Sequence, residues 1–490
     1  MRFSSPSQPS VAPSGSRKRL DFLNASSAGG YILLILISLS GFFLRIIHLG
    51  KLSFWLDEGA TAAIASLDWM SFWKVMFSRE MNMVLYYLVL RIVPGLQASE
   101  AAFRLLSVIF GTATIAGIWL LAREMMGKQR DIVALAASAL VAANGFLIAY
   151  SREARGYAMA LFLVVLSTWA SAILVKHGRL RVTWCLLAFS ATYTHFYSCL
   201  WIAPQIWAVW KANRHRGGKF FVPIIATAGI ALVPLLIFVL QTRGGQLDWV
   251  PKPTPSYLLD MFVQLAGYSR IALLLLCAGS VVGTIRLWRG GDAVSRLISV
   301  QNIFPIALLL TFSPVHPLFV PRFVIFSIPF LMLTAVEGFC AFGAVAGTAA
   351  FAPALAVMLL AGNQAPTRGD WRNMTNFICT QRSNESIAFW PAMQRFPYWY
   401  YAHTAGCPRP VYPDSKGVAV ADFRPIQREF DYNLCGLKAD SVLMIVDGES
   451  QPRSKTSGVR STCYPEMSIT LRDGLQLIEL HRAAVVTTPD

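Results

Sequence analysis

Long apolar runs, separated by short polar segments, dominate the chain between residues 31 and 360. A helix needs about 20 mainly apolar residues to cross a bilayer, and these runs have roughly that length. The chain is therefore predicted to be a mainly α, polytopic membrane protein. The clear runs are Tyr31–Leu49, Ala102–Ala122, Ile132–Ala149, Tyr157–Val175, Phe220–Leu240, Ile271–Leu287, Leu297–Phe312, Phe323–Cys340 and Gly343–Leu360.

The stretch Val182–Trp210 is too long for one ordinary span and short for two, and polar residues around His195 interrupt its middle. Short cytoplasmic loops are enriched in lysine and arginine. Two short crossings that turn near His195 place the basic loops at Lys211–Lys219 and Arg286–Arg296 on the same side as the basic N-terminus. The pattern therefore predicts two short helices here and about 11 spans in total, with the N-terminus inside and the C-terminus outside.

The outer segment Lys51–Ser99 follows the first span. Small and apolar residues at helical spacing in it predict a short helix at Glu58–Met70 that lies in the membrane interface. Tryptophans typical of the interfacial aromatic belt lie in or near this helix. They are Trp55, Trp69 and Trp73.

The two ends of the chain differ in composition from the apolar middle. Residues 1–28 are rich in serine and proline, which predicts a disordered cytoplasmic tail. Residues 29–362 form the predicted transmembrane domain, with the outer loop 51–99. Residues 363–490 mix aromatic clusters with short alternating runs such as Ser441–Val446, which predicts a small α/β or α+β domain outside the membrane.

The distribution of charges indicates the orientation in the membrane and does not indicate a nucleic-acid partner. Only 14% of the residues are charged and 55% are hydrophobic, with a mean hydropathy of +0.50, a net charge of +17 and a pI of about 9.7. The basic residues lie in short clusters between apolar runs, where they orient the helices. We therefore expect contact with membrane lipids and no binding of nucleic acid.

The cysteines fall into two groups. Four of them lie in or beside apolar runs, and the other four lie in the polar C-terminal region, at Cys379, Cys407, Cys435 and Cys463. Four cysteines in a polar segment favour one or two disulfides in an oxidising compartment, with the pairing open. A zinc site is disfavoured because none of them forms a CxxC pair.

Asp57 and Glu58 are the first candidates for chemistry, because they come just after the outer end of the first span. Adjacent carboxylates beside apolar surface are costly unless they are paired, bound to a metal or used. One of them can take a proton from an attacking hydroxyl. The alternative is a solvated pair of acids in the first turn of a helix over Gly59–Ser66.

The segment 150–157 carries three charges in a tight outer loop, Arg152, Glu153 and Arg155, followed by Tyr157. Guanidinium groups suit a bidentate grip on phosphate oxygens, and the carboxylate can hold an arginine, a metal or a proton. The alternative is an interfacial ion pair with arginines that reach toward the headgroups.

Other polar residues fall on the same predicted outer face. His195 lies at the turn of the short helix pair, and Arg322 begins a later span, where a lone cation favours a bound anion or an acidic partner. Tyr86 and Tyr87 precede the second span and form either an aromatic wall or ordinary packing. No P-loop, GxGxxG, HExxH or GxSxG motif occurs in a supporting context, so a nucleotide-driven pump is disfavoured.

The motifs together are similar to those of a known group of enzymes. Trp55-Leu56-Asp57-Glu58, the segment 150–157, Thr194-His195-Phe196-Tyr197, Pro321-Arg322-Phe323 and Gly369-Asp370-Trp371-Arg372 occur in that order. This combination resembles the GT-C membrane glycosyltransferases, above all the bacterial members of the protein mannosyltransferase-like family 39. The resemblance covers roughly Tyr31–Arg372.

The resemblance implies transfer of a hexose or pentose from a polyprenyl-phosphate donor to a lipid, glycan or protein acceptor at the outer face of the bacterial cytoplasmic membrane. The transfer would proceed with inversion and without direct use of a nucleotide sugar. It gives Asp57 the role of base or acceptor-positioning group. Glu58 would support Asp57 or help to bind a divalent metal where one is used. Arg152, Arg155 and Arg322 would neutralise the leaving phosphate.

One departure from the family pattern concerns the stretch Asn82–Tyr87, which lacks the two prolines that relatives often carry before Leu-Tyr-Tyr.

Two other functions fit an outer-face site of acids and arginines. One is a transporter or flippase for a lipid-linked or anionic substrate, which predicts ionisable groups near the middle of the membrane. The other is a glycan polymerase or ligase, which would use a lipid-linked oligosaccharide.

Overall fold

The computed structural model describes residues 27–93, 95, 97–126, 131–242, 250–315, 317–361, 368–382, 386–390, 392–407, 411–412, 441–447, 466–472 and 474–481. Most of the predicted N-terminal tail, together with Cys435 and Cys463, lies outside these ranges.

Each predicted apolar run is helical, and the outer loop and the tail add further short helices. In chain order the helices are α1 (Ser27–Ile46), α2 (Leu56–Ser66), α3 (Trp69–Ser78), α4 (Val84–Ile92), α5 (Glu100–Met126), α6 (Asp131–Ala143), α7 (Gly145–Ser151), α8 (Tyr157–His177), α9 (Arg181–Thr194), α10 (Cys199–Asn213), α11 (Gly218–Thr242), α12 (Pro255–Leu265), α13 (Arg270–Gly290), α14 (Ala293–Phe312), α15 (Ile328–Cys340), α16 (Gly343–Ala361), α17 (Trp371–Gln381) and α18 (Arg395–Thr404).

Within the described ranges, seven helices are long and apolar enough to cross a membrane, and an eighth span results if the bent pair α6 and α7 counts as one. The chain is thus a multi-pass membrane protein. The ambiguous stretch forms two short helices, α9 of 14 residues and α10 of 15 residues, which separate at His195 as predicted. The total of 11 crossings and their orientation stay predictions.

The break between α6 and α7 directs the loop 150–157 into the protein. The two helices meet at an angle of 61°. The side chain of Asn144 lies at the break: its Oδ1 accepts from the Leu147 backbone N–H at 2.9 Å, and its Nδ2 donates to the Leu265 carbonyl at 3.0 Å. The buried amide therefore caps α7 and ties it to α12, which fixes where the chain leaves α7.

Helices α13 and α15 pack with their backbones almost in contact. Gly279 and Gly283 form a GxxxG pair on α13, and Gly338 faces them from α15. A Cβ on Gly338 would lie 1.8 Å from the Gly279 carbonyl oxygen, and a Cβ on Gly283 would lie 1.9 Å from the Thr334 oxygen. Small residues allow such close approach, which is how helices associate in lipid.

We expect Gly283→Ala to destabilise the protein by about 1–3 kcal/mol, because the added methyl group meets backbone atoms that cannot rotate away. Thermal unfolding of the purified protein in detergent measures the effect. Gly290→Ala is the matched control, since Gly290 ends the same helix and its Cβ would meet nothing within 4 Å. Equal melting temperatures for the two variants would contradict this packing.

The predicted interfacial helix Glu58–Met70 is wrong in its bounds and its setting. The chain forms α2 and α3 instead, and Asp68 separates them by accepting from the Ser71 backbone N–H at 2.9 Å. The residues Glu58–Ala65 are buried inside the protein. A Cβ on Gly59 would lie 2.4 Å from the backbone nitrogen of Pro397 in α18, so the small residues of α2 serve close packing rather than membrane contact.

The polar tail contains a five-stranded mixed sheet, as the alternating runs predicted. The strands β1 (Ser386–Trp390), β2 (Val411–Tyr412), β3 (Ser441–Asp447), β4 (Glu466–Arg472) and β5 (Leu475–His481) lie in the order β2-β1-β3-β5-β4. Strand β1 is parallel to β2 and β3, whereas β5 is antiparallel to β3 and β4. The fold class, mainly helical with a small α/β element, is thus confirmed.

A disulfide joins Cys379 of α17 to Cys407, just after α18. It confirms one of the predicted disulfides. It holds together the two helices that place the tail against the outer loop, where the Tyr401 hydroxyl accepts from the Phe54 backbone N–H at 2.7 Å. The tail therefore packs directly on the segment that leads into α2.

Candidate active site

Asp57 lies in the first turn of α2, after an extended residue, Trp55. Its carboxylate is 20% exposed, and its Oδ2 is 3.9 Å from the Nε of Arg155. Its backbone oxygen accepts from the Thr61 hydroxyl at 3.0 Å. The carboxylate is therefore held near a cation without a close bond to it, and it is accessible to a ligand.

Glu58, in contrast, is fully buried and faces Arg104. The Nε and Nη2 of Arg104 donate to its two oxygens, each at 2.7 Å, and the Ala154 backbone N–H donates to Oε1 at 2.8 Å. Arg104 also donates to the Leu49 and Leu52 carbonyls at 2.7 and 2.8 Å. Glu58 thus joins α2 to α5 and to the loop 150–157, and its partner Arg104 adds the connection to the end of the first span.

Sequence reasoning missed Arg104, although it lies inside a predicted span. A charge at such a position needs an acidic partner or a backbone partner. Arg104 and Glu58 lie 46 positions apart in the sequence, so no local sequence pattern indicates that they form an ion pair.

Arg155 is buried beside Asp57. Its Nη1 donates to the Tyr87 hydroxyl at 3.0 Å and to the Asp57 carbonyl at 3.4 Å. The Ser107 hydroxyl lies 3.2 Å from the Tyr86 hydroxyl and donates to the Arg155 carbonyl at 3.0 Å. The structure therefore brings Asp57, Arg155, Tyr86 and Tyr87 together, as a site on these residues requires.

Arg152 points elsewhere, since its Nη2 donates to the Leu44 carbonyl of α1 at 2.5 Å. Glu153 is buried and forms an ion pair with Arg368, which precedes α17. The guanidinium of Arg322 lies 5.7 Å from the ring centre of Trp55. Of the charged residues in the loop 150–157, Arg155 is thus the one in contact with Asp57.

His195 is fully buried at the turn between α9 and α10. Its ring centre lies 5.1 Å from that of Tyr157 and 5.7 Å from that of Phe326, and its Nδ1 accepts from the Tyr197 backbone N–H at 3.3 Å. Burial, followed by the nearby charges of Arg155 and Arg322, lowers the pKa of His195 to about 3. The imidazole is therefore neutral near pH 7, and it acts as a hydrogen-bonding group rather than a cation.

Glu80, between α3 and α4, is a second acid near Asp57 that sequence reasoning missed. Burial, opposed by Arg155 and reinforced by Asp57, raises the pKa of Glu80 to about 7. Two residues later, the Asn82 Oδ1 accepts from the Phe196 backbone N–H at 3.1 Å, which ties this loop to the turn at His195.

A divalent metal at Asp57 and Glu58 does not fit this geometry. Both oxygens of Glu58 are bonded to Arg104, so they do not face Asp57 as ligands would. Among the described residues, no group of three or more His, Cys, Asp or Glu side chains is placed to hold a metal ion.

Buried polar atoms of Trp55 and of three predicted site residues have no hydrogen-bond partner within the part of the chain that the structure describes. Buried polar atoms in native proteins are nearly always bonded, so these atoms are available to a polar ligand. The atoms are Trp55 Nε1, Glu153 Oε2, Arg155 Nε and His195 Nε2.

Comparison with known proteins gives a fold but no sequence family. No protein-family model matches the chain. No curated protein sequence matches it significantly either.

Solved structures of ArnT share the fold. The structure of ArnT from Cupriavidus metallidurans in the apo state aligns over 95% of this chain and 100% of its own length, with 12% identity and a TM-score of 0.55. The same protein bound to undecaprenyl phosphate gives 11% identity, the same coverage and a TM-score of 0.54. An apo structure of the Archaeoglobus fulgidus oligosaccharyltransferase aligns over 76% of this chain and 64% of its own, at 11% identity and a TM-score of 0.48.

The family 39 grouping suggested by the motifs stays a prediction, because these comparisons do not distinguish it. The wider resemblance is confirmed at the level of the fold. The chain has the fold of the GT-C membrane glycosyltransferases.

Proposed function

We propose that this protein transfers a sugar from a polyprenyl-phosphate donor to a lipid, glycan or protein acceptor at the outer face of the bacterial cytoplasmic membrane. One observation carries the proposal: the accessible Asp57 carboxylate lies 3.9 Å from Arg155, and buried atoms of Trp55, Arg155 and His195 have no hydrogen-bond partner in the described residues. The shared fold supports it, since ArnT has been solved with undecaprenyl phosphate bound.

The chemistry is a single displacement with inversion. An oxygen of the Asp57 carboxylate accepts the proton of the acceptor hydroxyl as the hydroxyl oxygen forms a bond to the anomeric carbon. The bond between this carbon and the phosphate oxygen breaks, and its electron pair leaves with the polyprenyl phosphate. Arg155 and Arg322 stabilise the negative charge that develops on the phosphate.

Other residues hold this arrangement in place. Tyr87 orients Arg155 through its hydroxyl. The neutral His195 offers Nε2 to a sugar hydroxyl, beside the ring of Tyr157. Glu58 acts as a positioning residue, because its bond to Arg104 fixes the first turn of α2, which carries Asp57.

Purified full-length protein in liposomes tests the proposal. Polyprenyl-phosphate-linked hexoses and pentoses are supplied on one side together with a bacterial lipid extract, and mass spectrometry follows the products. We expect a glycosylated acceptor and free polyprenyl phosphate. Movement of the donor across the bilayer without transfer would overturn the proposal in favour of a flippase, and stepwise growth by whole oligosaccharides would indicate a polymerase or ligase.

The ionisation of Glu80 is expected to change how kcat/KM for the donor depends on pH. As the pH rises through about 7, Glu80 loses its proton, and the new charge competes for Arg155 and repels the anionic donor. We expect kcat/KM for the donor to fall across this interval in the wild type and to stay level in Glu80→Gln. Glu124→Gln, at the far end of α5, is the control that keeps the wild-type profile. An unchanged decline in Glu80→Gln would contradict the assignment.

A further inference from the structure

Arg368 connects the tail to the site. It lies just before α17, and its guanidinium carbon is 4.4 Å from the ring centre of Trp55, two residues before Asp57. Its Nη2 is paired with Oε1 of Glu153 in the loop 150–157. A residue from the start of the polar tail thus contacts both sequence segments that were predicted to carry the chemistry.

The indole of Trp55 brings two arginines together. The guanidinium of Arg322 approaches the same ring at 5.7 Å. Guanidinium groups stack on aromatic faces while keeping their N–H groups available for an anion. The N–H of the same indole is buried and has no acceptor among the described residues. Two guanidinium groups from distant parts of the chain therefore lie beside one ring, and the N–H of that ring is a third donor.

The pair between Arg368 and Glu153 does not bury the arginine completely. Its side chain is 17% exposed, so it stays accessible to a ligand. An arginine that is already oriented by a carboxylate and a ring loses little conformational freedom when it binds a phosphate oxygen.

We infer that Arg368 is a further substrate-binding residue, which holds the phosphate of the lipid-linked donor together with Arg322 and the indole N–H of Trp55. The inference rests on the proposed function and adds a group from the polar tail to the site. The tail is fixed at this point by Ser53, whose hydroxyl donates to the Gly369 carbonyl at 3.2 Å and accepts from the Trp371 backbone N–H at 3.1 Å. Donor binding therefore depends on the docking of the tail.

Binding of a polyprenyl phosphate to the full-length protein in detergent tests the inference, together with KM for the sugar donor. Charged hydrogen bonds contribute about 1.5–3 kcal/mol, so we expect Arg368→Gln to weaken polyprenyl phosphate binding and to raise the donor KM at least about tenfold. Arg382→Gln is the matched control. This arginine directly follows α17 and pairs with Glu479 of β5 inside the tail, so both constants are expected to stay at the wild-type values.

A second pair of variants distinguishes phosphate binding by Arg368 from a role in which Arg368 only neutralises the charge of Glu153. The double variant Glu153→Gln/Arg368→Gln removes both charges, so no buried carboxylate is left without a partner. We expect it to bind polyprenyl phosphate at least about tenfold more weakly than Glu153→Gln alone. Equal binding by these two variants would overturn the inference while the proposed function stands. A wild-type protein that neither binds polyprenyl phosphate nor transfers sugar would overturn both.

Discussion

Asp57→Asn is expected to lower the rate of sugar transfer by about 10²- to 10⁴-fold, the range that a positioned general base contributes. An amide cannot accept the proton of the acceptor hydroxyl at neutral pH. The substitution preserves shape, and the carboxylate makes only a 3.9 Å ion pair with Arg155, so the folded protein and its insertion are expected to be retained. Initial rates with a saturating donor, alongside thermal unfolding of the same preparations, measure both effects.

Asp68→Asn is the control on the same outer loop. Asp68 is exposed and caps α3 through the Ser71 backbone N–H, a role that asparagine fills equally well. Its transfer rate is therefore expected to match the wild type. Full activity of Asp57→Asn would remove the central role of this carboxylate, and a comparable loss in both variants would show that the assay responds to disturbance of the loop rather than to the base.

The membrane architecture could be predicted well because it depends on a local property. A helix that crosses lipid must be apolar over its own length, so each run in the sequence marks its own helix. The break at His195 was predictable for the same reason, since the polar residues interrupt the run where they stand. The prediction of an interfacial helix at Glu58–Met70 was wrong because small residues suit both a membrane interface and close packing inside a protein. Here they allow close packing against Pro397 of α18.

The candidate site was predictable only in part. The acids and arginines on the outer face were visible as charges beside apolar runs, and the structure brings two of them, Asp57 and Arg155, together. The sequence does not reveal which charge pairs with which. Arg368 and Glu153 lie 215 positions apart, and their pairing depends on how the tail docks on the outer loop.

The adjacent residues Asp57 and Glu58 separate in role because of helix geometry. Successive side chains on a helix point about 100° apart, so one carboxylate can face the site while the next faces the protein interior. Asp57 remains partly exposed, whereas Glu58 is fully buried with Arg104. The same dipeptide thus contains a candidate base and the anchor of the helix that carries it.

Glu58→Leu is expected to destabilise the folded protein by about 3–5 kcal/mol, because it leaves the guanidinium of Arg104 buried without a counter-charge. Arg104→Met should have a similar effect, since it leaves the Glu58 carboxylate buried without a counter-charge. The double variant Glu58→Leu/Arg104→Met removes both charges and is expected to be more stable than either single variant. Thermal unfolding in detergent, followed by size-exclusion chromatography, gives the three terms of this double-mutant cycle.

The cycle also distinguishes an anchor from a catalytic group. If Glu58 positions α2, the double variant recovers stability and part of the transfer activity, because Asp57 is still present and α2 is again held without a buried lone charge. A Glu58→Leu protein that unfolds like the wild type but transfers no sugar would contradict the anchor role. It would place Glu58 at the reaction centre, and the hydrogen bonds of its two oxygens to Arg104 would then have to break during turnover.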